Sequence, residues 1–434
     1  MTYTKEWYID NFKKLESKLN GEAKSDFHKI RKEAIEQFDK LNFPTSKNED
    51  WKYTNVAPIF NYGFIPNFEK EEVDKNIIST NKIPGLDANI IVLINGKFRS
   101  ELSEINSLPG NVTITSFRTA VKEHYNLIKE YFGKNIKQEN GFIALNTAFA
   151  NDGIFIYIPA NTVIDIPIHI MNLNGSIQGN VLVQPRNIFI AGENSTAVIL
   201  ETYNSINEGT SFTNNITEVF LGERSNFKLF KIQRENEKSF HISRTQAEQK
   251  KNSVLTTYTV TTGGSLTRND NNTLLNDEGC ETHLFGLYLT SGSQHVDNHT
   301  LIDHAKPRCT SNELYKGVLN DRSKAVFNGK VFVRPDAQKT NAYQSNKNIL
   351  LTKEASVDTK PQLEIYADDV RCTHGATVGQ LDEESVFYLR SRGIPKEEAI
   401  KILIRAFAED IFENISSEQI HEYIQKLIFE KLNF

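Results

Sequence analysis

Four stretches in the middle of the chain decide the fold: FIYIPANTVIDIPIHI (155–170), NIFIAGENSTAVILE (187–201), TEVFLGERSNFKLFKI (217–232) and VLTTYTVTTGGSL (254–266). In each, short runs of β-branched and aromatic residues alternate with polar and glycine-containing segments. Such runs are typical of β-strands, and the residues between them are typical of tight turns. A helical period is almost absent. The pattern therefore predicts a series of strands joined by short turns.

The same texture extends from residue 141 to residue 378, which is more chain than one ordinary β-sandwich needs. A sandwich domain is often near 100 residues, so a sandwich would have to be doubled. A solenoid grows instead by adding coils, each of which buries its inner face on its neighbours. We therefore expect a β-helix-like solenoid. Polar turn dipeptides recur along it at irregular spacings, beginning at Gly192, Gly222, Asn276, Asn320 and Lys353.

Both ends of the chain show helical periodicity instead. Asp382 is a favourable N-cap and Gly393 a favourable C′ residue for a helix near the C-terminus. The segment 395–415 is apolar nearly all round, which is typical of a helix that is buried on both sides. We expect a partner protein to bury one of these sides. We expect four regions: an N-terminal helical region (1–60), a mixed α/β connection (61–140), the β-helix core (141–378) and a C-terminal helical domain (379–434).

Composition narrows the cellular setting. The chain has 434 residues and a formal net charge of −5, whereas a general nucleic-acid binder carries a basic patch. Three cysteines in a chain of this length do not make a disulfide framework. The N-terminus lacks the apolar segment of a signal peptide, and no run approaches the roughly 20 apolar residues of a membrane span. We expect a cytoplasmic protein with reduced thiols and without nucleic-acid or membrane partners.

The main functional clue lies in KPQLEIYADDVRCTHGATVGQLDEESVFYLRSRGIP (360–395). Cys372 and His374 are two residues apart, so on an extended strand both side chains project from one face, with α-carbons about 7 Å apart. Thiol and imidazole suit iron, zinc or copper. Two ligands are only part of a coordination set, so other ligands must come from elsewhere in the chain or from another protein. The alternative is a buried thiol and a hydrogen-bonded histidine.

Two weaker metal candidates accompany this pair. Asp368 shares the strand parity of Cys372 and would add an oxygen ligand. In QHVDNHTLIDHAKPRC (294–309), the alternating residues resemble a two-histidine, one-carboxylate set. These alternating residues are His295, Asp297 and His299. The alternative is a polar face of the solenoid without metal.

Cys280 and Cys309 have no local ligand partner at metal-site spacing, so we expect packed thiols.

Several catalytic signatures are absent from the sequence. It contains no GxxxxGK[ST] phosphate loop, no GxSxG nucleophile elbow and no HExxH zinc motif. It also lacks CxxC, so a complete iron–sulfur site from this chain alone is not expected. We therefore expect a chain that binds no nucleotide and is not itself an enzyme.

Around Cys372 and His374 the sequence closely resembles the SufD family of iron–sulfur cluster assembly proteins, within the SufB/SufD superfamily. The resemblance implies a right-handed parallel β-helix core flanked by N-terminal and C-terminal helical domains. It spans most of the chain and is densest over residues 311–395. The other matching segments are NEDWKYT (48–54), FIALNTAFANDG (142–153) and VDNHTLIDH (296–304).

The resemblance also implies partners and a shared site. Proteins of this type work with a SufB-type scaffold subunit and two copies of a SufC-type ABC ATPase. An iron ion would bind transiently, or an Fe–S cluster would form, between the two β-helices. His374 and the adjacent Cys372 would be the ligands that this chain contributes. The B-type paralogue carries a cluster cysteine where this chain has Ile365, so the chain resembles the accessory subunit. A reduced flavin in the complex is compatible with the resemblance, although the sequence indicates no site for it.

The ATPase subunit would dock on the C-terminal helices and cover the second apolar face of residues 395–415. The predicted contact residues are Phe387, Tyr388, Arg390, Ile400, Ile404, Phe407 and Ile411.

Two other functions stay open at this point. A β-helix enzyme acting on polysaccharide would use the clustered His and Asp residues along the solenoid. A self-sufficient iron-binding homodimer would bring two copies of Cys372 and His374 together at an end of the solenoid.

Overall fold

The computed structural model describes residues 3–66, 71–175, 179–413 and 415–432. The chain is mostly β, with a β-solenoid of about eight turns and helices toward both termini. This confirms the predicted solenoid core with flanking helices. Within those ranges, no helix combines the length and the apolar character that crossing a membrane requires.

Helices precede and follow the long series of strands. The α-helices are α1 (Lys5–Lys18), α2 (Asp26–Leu41), α3 (Asn76–Asn81), α4 (Phe117–Glu123), α5 (Tyr125–Tyr131), α6 (Gly141–Ala148), α7 (Glu383–Ser391), α8 (Lys396–Glu409) and α9 (Glu418–Lys431). The strands are β1 (Ile65–Pro66), β2 (Asn89–Ile94), β3 (Lys97–Phe98), β4 (Thr113–Ser116), β5 (Ile154–Ile158), β6 (Ile168–Asn174), β7 (Val181–Val183), β8 (Arg186–Ala191), β9 (Thr196–Ser205), β10 (Ser211–Leu221), β11 (Asn226–Arg234), β12 (Phe240–Gln249), β13 (Val254–Thr261), β14 (Leu266–Leu275), β15 (Glu281–Thr290), β16 (His295–His304), β17 (Thr310–Leu319), β18 (Lys324–Val333), β19 (Asn341–Leu350), β20 (Ser356–Ile365) and β21 (Arg371–Gly379).

Successive strands of the solenoid alternate between two sheets. The first sheet follows the order β20-β18-β16-β14-β12-β10-β8-β5-β4, and the second follows β21-β19-β17-β15-β13-β11-β9-β6-β2-β3. From β8 onward, each strand pairs in parallel with the strand two places further along the chain, as β15 does with β17. Equivalent positions therefore form columns that run from coil to coil along the solenoid.

The turns belong to two different corners of the coil. At one corner the Gly222 N–H donates to the carbonyl of Ala191, and at the other the Asn320 N–H donates to the carbonyl of Thr290. The spacings of the turn dipeptides are irregular in the sequence because two series of turns are interleaved there. Each corner repeats once per coil.

Small polar side chains close the turns at the first corner. The hydroxyls of Ser225 and Ser253 each donate to the carbonyl three residues earlier. In the next two coils the equivalent positions are occupied by Cys280 and Cys309, which are both fully buried. Both sulfurs lie 3.2 Å from the carbonyl oxygen of Asp277. The prediction that these cysteines are packed thiols is confirmed.

The C-terminal helices pack on the outer face of the second sheet. Ile404 of α8 and Ile424 of α9 are buried in one cluster with Tyr258 and Phe285 of the sheet, whose rings stack with centroids 5.2 Å apart. Apolar burial of this kind contributes about 25 cal/mol per Å². The helical domain is therefore attached to the solenoid through the hydrophobic core.

Close packing inside the coils requires glycine at one lumen-facing position. Gly286 lies in register with the fully buried Tyr315, and a Cβ there would be 2.2 Å from the tyrosine ring. We expect Gly286→Ala to lower the free energy of unfolding by about 1–3 kcal/mol, because the ring must move. Urea denaturation measures this change.

Gly110→Ala is the matched control, because no atom lies within 4 Å of the added carbon. It should change the free energy of unfolding by less than about 0.5 kcal/mol. Equal stabilities of the two variants would show that the lumen is not closely packed at Tyr315.

Candidate functional site at the open end of the solenoid

The last coil, formed by β20 and β21, ends both sheets. Within the described ranges β21 pairs only with β19, and all of its residues but Cys372 are exposed. The N–H and C=O groups along its free edge are available to another chain. Such an edge is a ready template for strand pairing.

Register decides which β21 side chains face the lumen. Cys372 is in register with Ala342, and His374 is in register with Gln344. Ala342 and Gln344 are buried within the coil below. Cys372 and His374 therefore share the lumen-facing side of β21, as strand alternation predicts. Both side chains lie at an accessible end of the solenoid.

The two candidate ligands differ in their surroundings. Cys372 is half-buried and packs at the edge of a small apolar cluster that includes Val333 and Ala342. Burial raises the pKa of its thiol, so the protonated form dominates near neutral pH unless a bound cation stabilises the thiolate. His374 is exposed, so its imidazole can be reached from outside the chain.

The floor beneath His374 and the residues that follow it on β21 is polar, whereas Cys372 lies above Ala342. β19 places Gln344, Asn346 and Asn348 at alternating, buried positions. Gln344 Nε2 donates to Glu313 Oε2 at 2.7 Å, and Asn348 Nδ2 donates to Asn346 Oδ1 at 2.7 Å. Burial raises the pKa of Glu313 to about 7, while hydrogen bonds from Thr300 and Gln344 act in the opposite direction. The open end thus combines two soft ligands with a titratable interior.

This polar floor was not predicted from the sequence. Its signal is YQSNKN (343–348), where amide side chains recur at every second residue. Alternation alone does not distinguish the lumen from the outer face, because both faces of a strand show period two. Only the register with buried neighbours shows that these amides point inward.

Asp368 does not lie on the strand that carries Cys372. It is exposed in the bend between β20 and β21, and β21 begins only at Arg371. The prediction of a shared strand face is wrong, because alternation does not continue through a bend. Nowhere in the described parts of the chain do three or more His, Cys, Asp or Glu side chains form a group that could hold a metal ion.

The second candidate set does share one face of β16, but other groups already bind its carboxylate. Arg268 Nη1 lies 2.9 Å from Asp297 Oδ2, and the Thr54 hydroxyl donates to the same oxygen at 2.5 Å. His299 Nε2 lies 3.0 Å from Asp297 Oδ1, and His295 Nε2 lies 2.9 Å from the Thr54 hydroxyl. Burial alone would raise the pKa of Asp297, but His299 and Arg268 hold it well below its usual range. Arg268, a cation of the chain itself, already neutralises this carboxylate, which counts against the metal prediction for this set.

Three of the predicted docking residues lie on the exposed surface of α7. Phe387 and Tyr388 are 71% and 57% exposed, and Arg390 is exposed beside them. Asp382 caps this helix by accepting from the N–H groups of Glu384 and Ser385. Two large aromatic side chains on one short helix form an unusually apolar exposed surface.

The docking residues predicted on α8 and just after it are largely covered by the chain itself. Ile404 and Ile411 are buried under α9 and the second sheet, so their predicted contact with a partner is wrong for this structure. Ile400 and Phe407 are half-buried at the edge of the same cluster. The free side of α8 carries Ile402, which is 40% exposed.

Comparison with known proteins places the chain in a family. The model of the SUF system FeS cluster assembly SufBD core domain matches residues 173–407, and the model of the SufBD protein N-terminal region matches residues 2–170. An iron–sulfur cluster assembly SufBD family protein of Synechocystis sp. is 32% identical over 410 residues, which are 93% of this chain and 90% of that protein.

Two further relatives carry a more specific name. The iron–sulfur cluster assembly protein SufD of Escherichia coli (strain K12) is 28% identical over 404 residues, 92% of this chain and 91% of that protein. SufD of Bacillus subtilis (strain 168) is 25% identical over 421 residues, 93% of both chains. The matches cover nearly the whole sequence, and the chain therefore belongs to the SufBD family of iron–sulfur cluster assembly proteins.

Proposed function

We propose that this chain is a D-type accessory scaffold subunit without catalytic turnover of its own. It contributes Cys372 and His374 to a cluster-assembly site shared with a SufB-type subunit, and iron or the nascent cluster is the substrate of that site. The observation that carries the proposal is the open last coil, where both ligands lie beside an unpaired strand edge. We place the chain in the cytoplasm, where its three free cysteines stay reduced.

The exposed last coil favours binding of a second chain. Val378 of β21 is 48% exposed and Ile365 of β20 is 40% exposed, although their neighbours in register, Asn348 and Val333, are buried one coil below. Exposed lumen-facing side chains and unpaired backbone groups both favour docking of another strand edge. A solenoid of the same family supplies such an edge and brings further ligands to the site.

The two ligands suit a transient substrate. His374 would bind iron as a neutral imidazole, through one ring nitrogen. Iron must displace the proton of the Cys372 thiol, whose pKa burial raises. Because this chain supplies only two ligands, it holds iron weakly unless the partner is present. Such a site can assemble a cluster and release it again.

We propose that α7 and the free side of α8 receive the SufC-type ATPase. Phe387 borders a cavity of about 810 Å³ between these helices and a turn of the solenoid, which Leu351 and Ile400 also line. Aromatic side chains beside a cavity are typical anchors of protein interfaces. Because Ile404 attaches α8 to the second sheet, motion of a docked subunit would reach the sheet that ends in β21.

The alternative functions have less support. The contacts of Asp297 with Arg268 and Thr54 count against a polysaccharide-acting enzyme, because this carboxylate is already bound. An iron-binding homodimer would use the same open end as the proposed complex. Iron binding by the purified chain at half an ion per chain would identify that homodimer.

We expect His374→Ala to lower cluster formation in the complex with the SufB-type and SufC-type subunits by about tenfold or more, because a ligand is lost. Cys372→Ala should lower it as well. Absorbance of the cluster and acid-labile sulfide measure the product, and size-exclusion chromatography should show that the complex still assembles.

His283→Ala is the control, because this histidine is half-buried on another coil of the same sheet. The complex that contains this variant should form clusters at the same rate as the complex that contains the unchanged chain. If His374→Ala and Cys372→Ala both mature clusters normally, the assignment of the site is wrong.

A second prediction concerns the docking surface. Phe387→Ala and Tyr388→Ala should each weaken binding of the SufC-type ATPase about tenfold, or about 1.4 kcal/mol, as expected for exposed aromatic anchors. Titration calorimetry with the full chain measures the dissociation constant. Truncation after Leu381 is less informative, since it also removes α9 from the hydrophobic core.

Phe429→Ala provides the matched control, because this phenylalanine is 53% exposed on α9. Its substitution should leave the dissociation constant unchanged. Loss of affinity in Phe429→Ala with full affinity in both α7 variants would place the ATPase on α9 instead.

A further inference from the structure

We infer that Gln344 is a positioning residue for His374: its amide oxygen is placed to accept a hydrogen bond from the imidazole of the ligand histidine and so to hold the ring in one orientation. This inference rests on the proposed role of His374 as a ligand. It adds a residue of the coil below to the cluster-assembly site.

The first support is a column of three polar side chains on successive coils. Glu313 of β17 is in register with Gln344 of β19, and Gln344 is in register with His374 of β21. Neighbouring strands lie about 4.7–4.9 Å apart, so side chains at these positions stack directly on one another. The imidazole is therefore the next polar group above the glutamine amide.

The second support is the orientation of the amide. Gln344 Nε2 donates to Glu313 Oε2 at 2.7 Å, which directs the nitrogen toward the coil below. Gln344 Oε1 is buried and has no hydrogen-bond donor among the residues that the structure describes. A buried acceptor without a donor costs about 1–3 kcal/mol. On either side of His374 along the lumen face, Cys372 offers only a weak S–H donor and Ala376 offers none.

The third support is the fixed position of the amide. A Cβ at Gly329, on the opposite sheet, would lie 2.3 Å from Gln344 Nε2. The glutamine therefore spans the lumen, and glycine at position 329 leaves room for it. Glu313, which holds its far end, is fully buried. A fixed acceptor thus lies beneath the exposed imidazole of His374.

The consequence for iron binding follows from imidazole chemistry. A neutral imidazole has one N–H and one lone-pair nitrogen. When Gln344 accepts from the N–H, the other nitrogen is left as the metal ligand and the ring plane is set. Ligand histidines commonly donate their second N–H in this way, and loss of the acceptor typically costs 10- to 100-fold in metal affinity or activity.

The test compares Gln344→Leu with the unchanged full-length chain. Nitrogen NMR of ¹⁵N-histidine-labelled protein, at a pH well above the ordinary histidine pKa of about 6.5, reports the ring tautomer. The His374 signals are identified by their loss in His374→Ala. We expect one dominant tautomer in the unchanged chain and a mixture in Gln344→Leu, with cluster formation in the complex lowered about tenfold.

Two variants separate positioning from stability. Exchanging the two groups in the double variant Glu313→Gln, Gln344→Glu keeps the hydrogen bond between positions 313 and 344 and an acceptor beneath His374, so it should restore both the single tautomer and cluster formation. Asn346→Leu makes a similar change two residues along, in the column of Ala376, and should leave the His374 tautomer unchanged. Thermal unfolding of each variant shows whether the fold is intact. If Gln344→Leu does not fold, Gly329→Ala displaces the same amide and gives the same readout.

The outcomes distinguish this inference from the function on which it rests. If Gln344→Leu changes neither the His374 spectrum nor cluster formation, while His374→Ala lowers cluster formation about tenfold or more, the inference is overturned and the proposed function stands. If His374→Ala forms clusters normally, the proposed function fails. The His374 spectrum of Gln344→Leu then decides alone whether Gln344 orients the ring.

Discussion

In-register stacking of parallel coils is the constraint on which the rest of the structure depends. Each coil satisfies the backbone groups of the coil before it, so a stack of this kind leaves two ends to be closed. At the N-terminal end, β3 and β4 pair antiparallel with β2 and β5 and finish the two sheets. At the other end, β20 and β21 finish the stack with free edges and exposed lumen-facing side chains. The candidate ligands lie at that second end.

Strand β17 contacts residues beneath the candidate site on one face and the C-terminal helical domain on the other. Glu313 on the lumen side of β17 holds Gln344 beneath the site. On its outer side, Lys316 Nζ donates to the carbonyl of Phe407 at 2.6 Å and to Asp410 of the C-terminal domain at 2.5 Å. β17 therefore contacts both the C-terminal helical domain and the floor of the candidate site.

Sequence reasoning succeeded where the property was local. Runs of β-branched residues with polar turns predicted the solenoid, and the spacing of Cys372 and His374 predicted a shared face. It failed where contacts join distant parts of the chain. The carboxylate of Asp297 is bound by Arg268 on the neighbouring coil and by Thr54 of the N-terminal region, and no spacing rule within one segment reveals such partners.

The sequence by itself determined that this chain builds a β-solenoid and carries a thiol and an imidazole on one face of a strand, because strand propensity and alternation depend on neighbouring residues. Only the tertiary structure decided that this pair lies at an exposed end of the solenoid, with His374 above a polar residue and Cys372 above an apolar one, and that Ile404 and Ile411 are buried by the chain itself. Exposure and register depend on which coils and helices lie beside a residue. Those neighbours come from positions about one coil or more away in the chain, so their contacts exist only after folding.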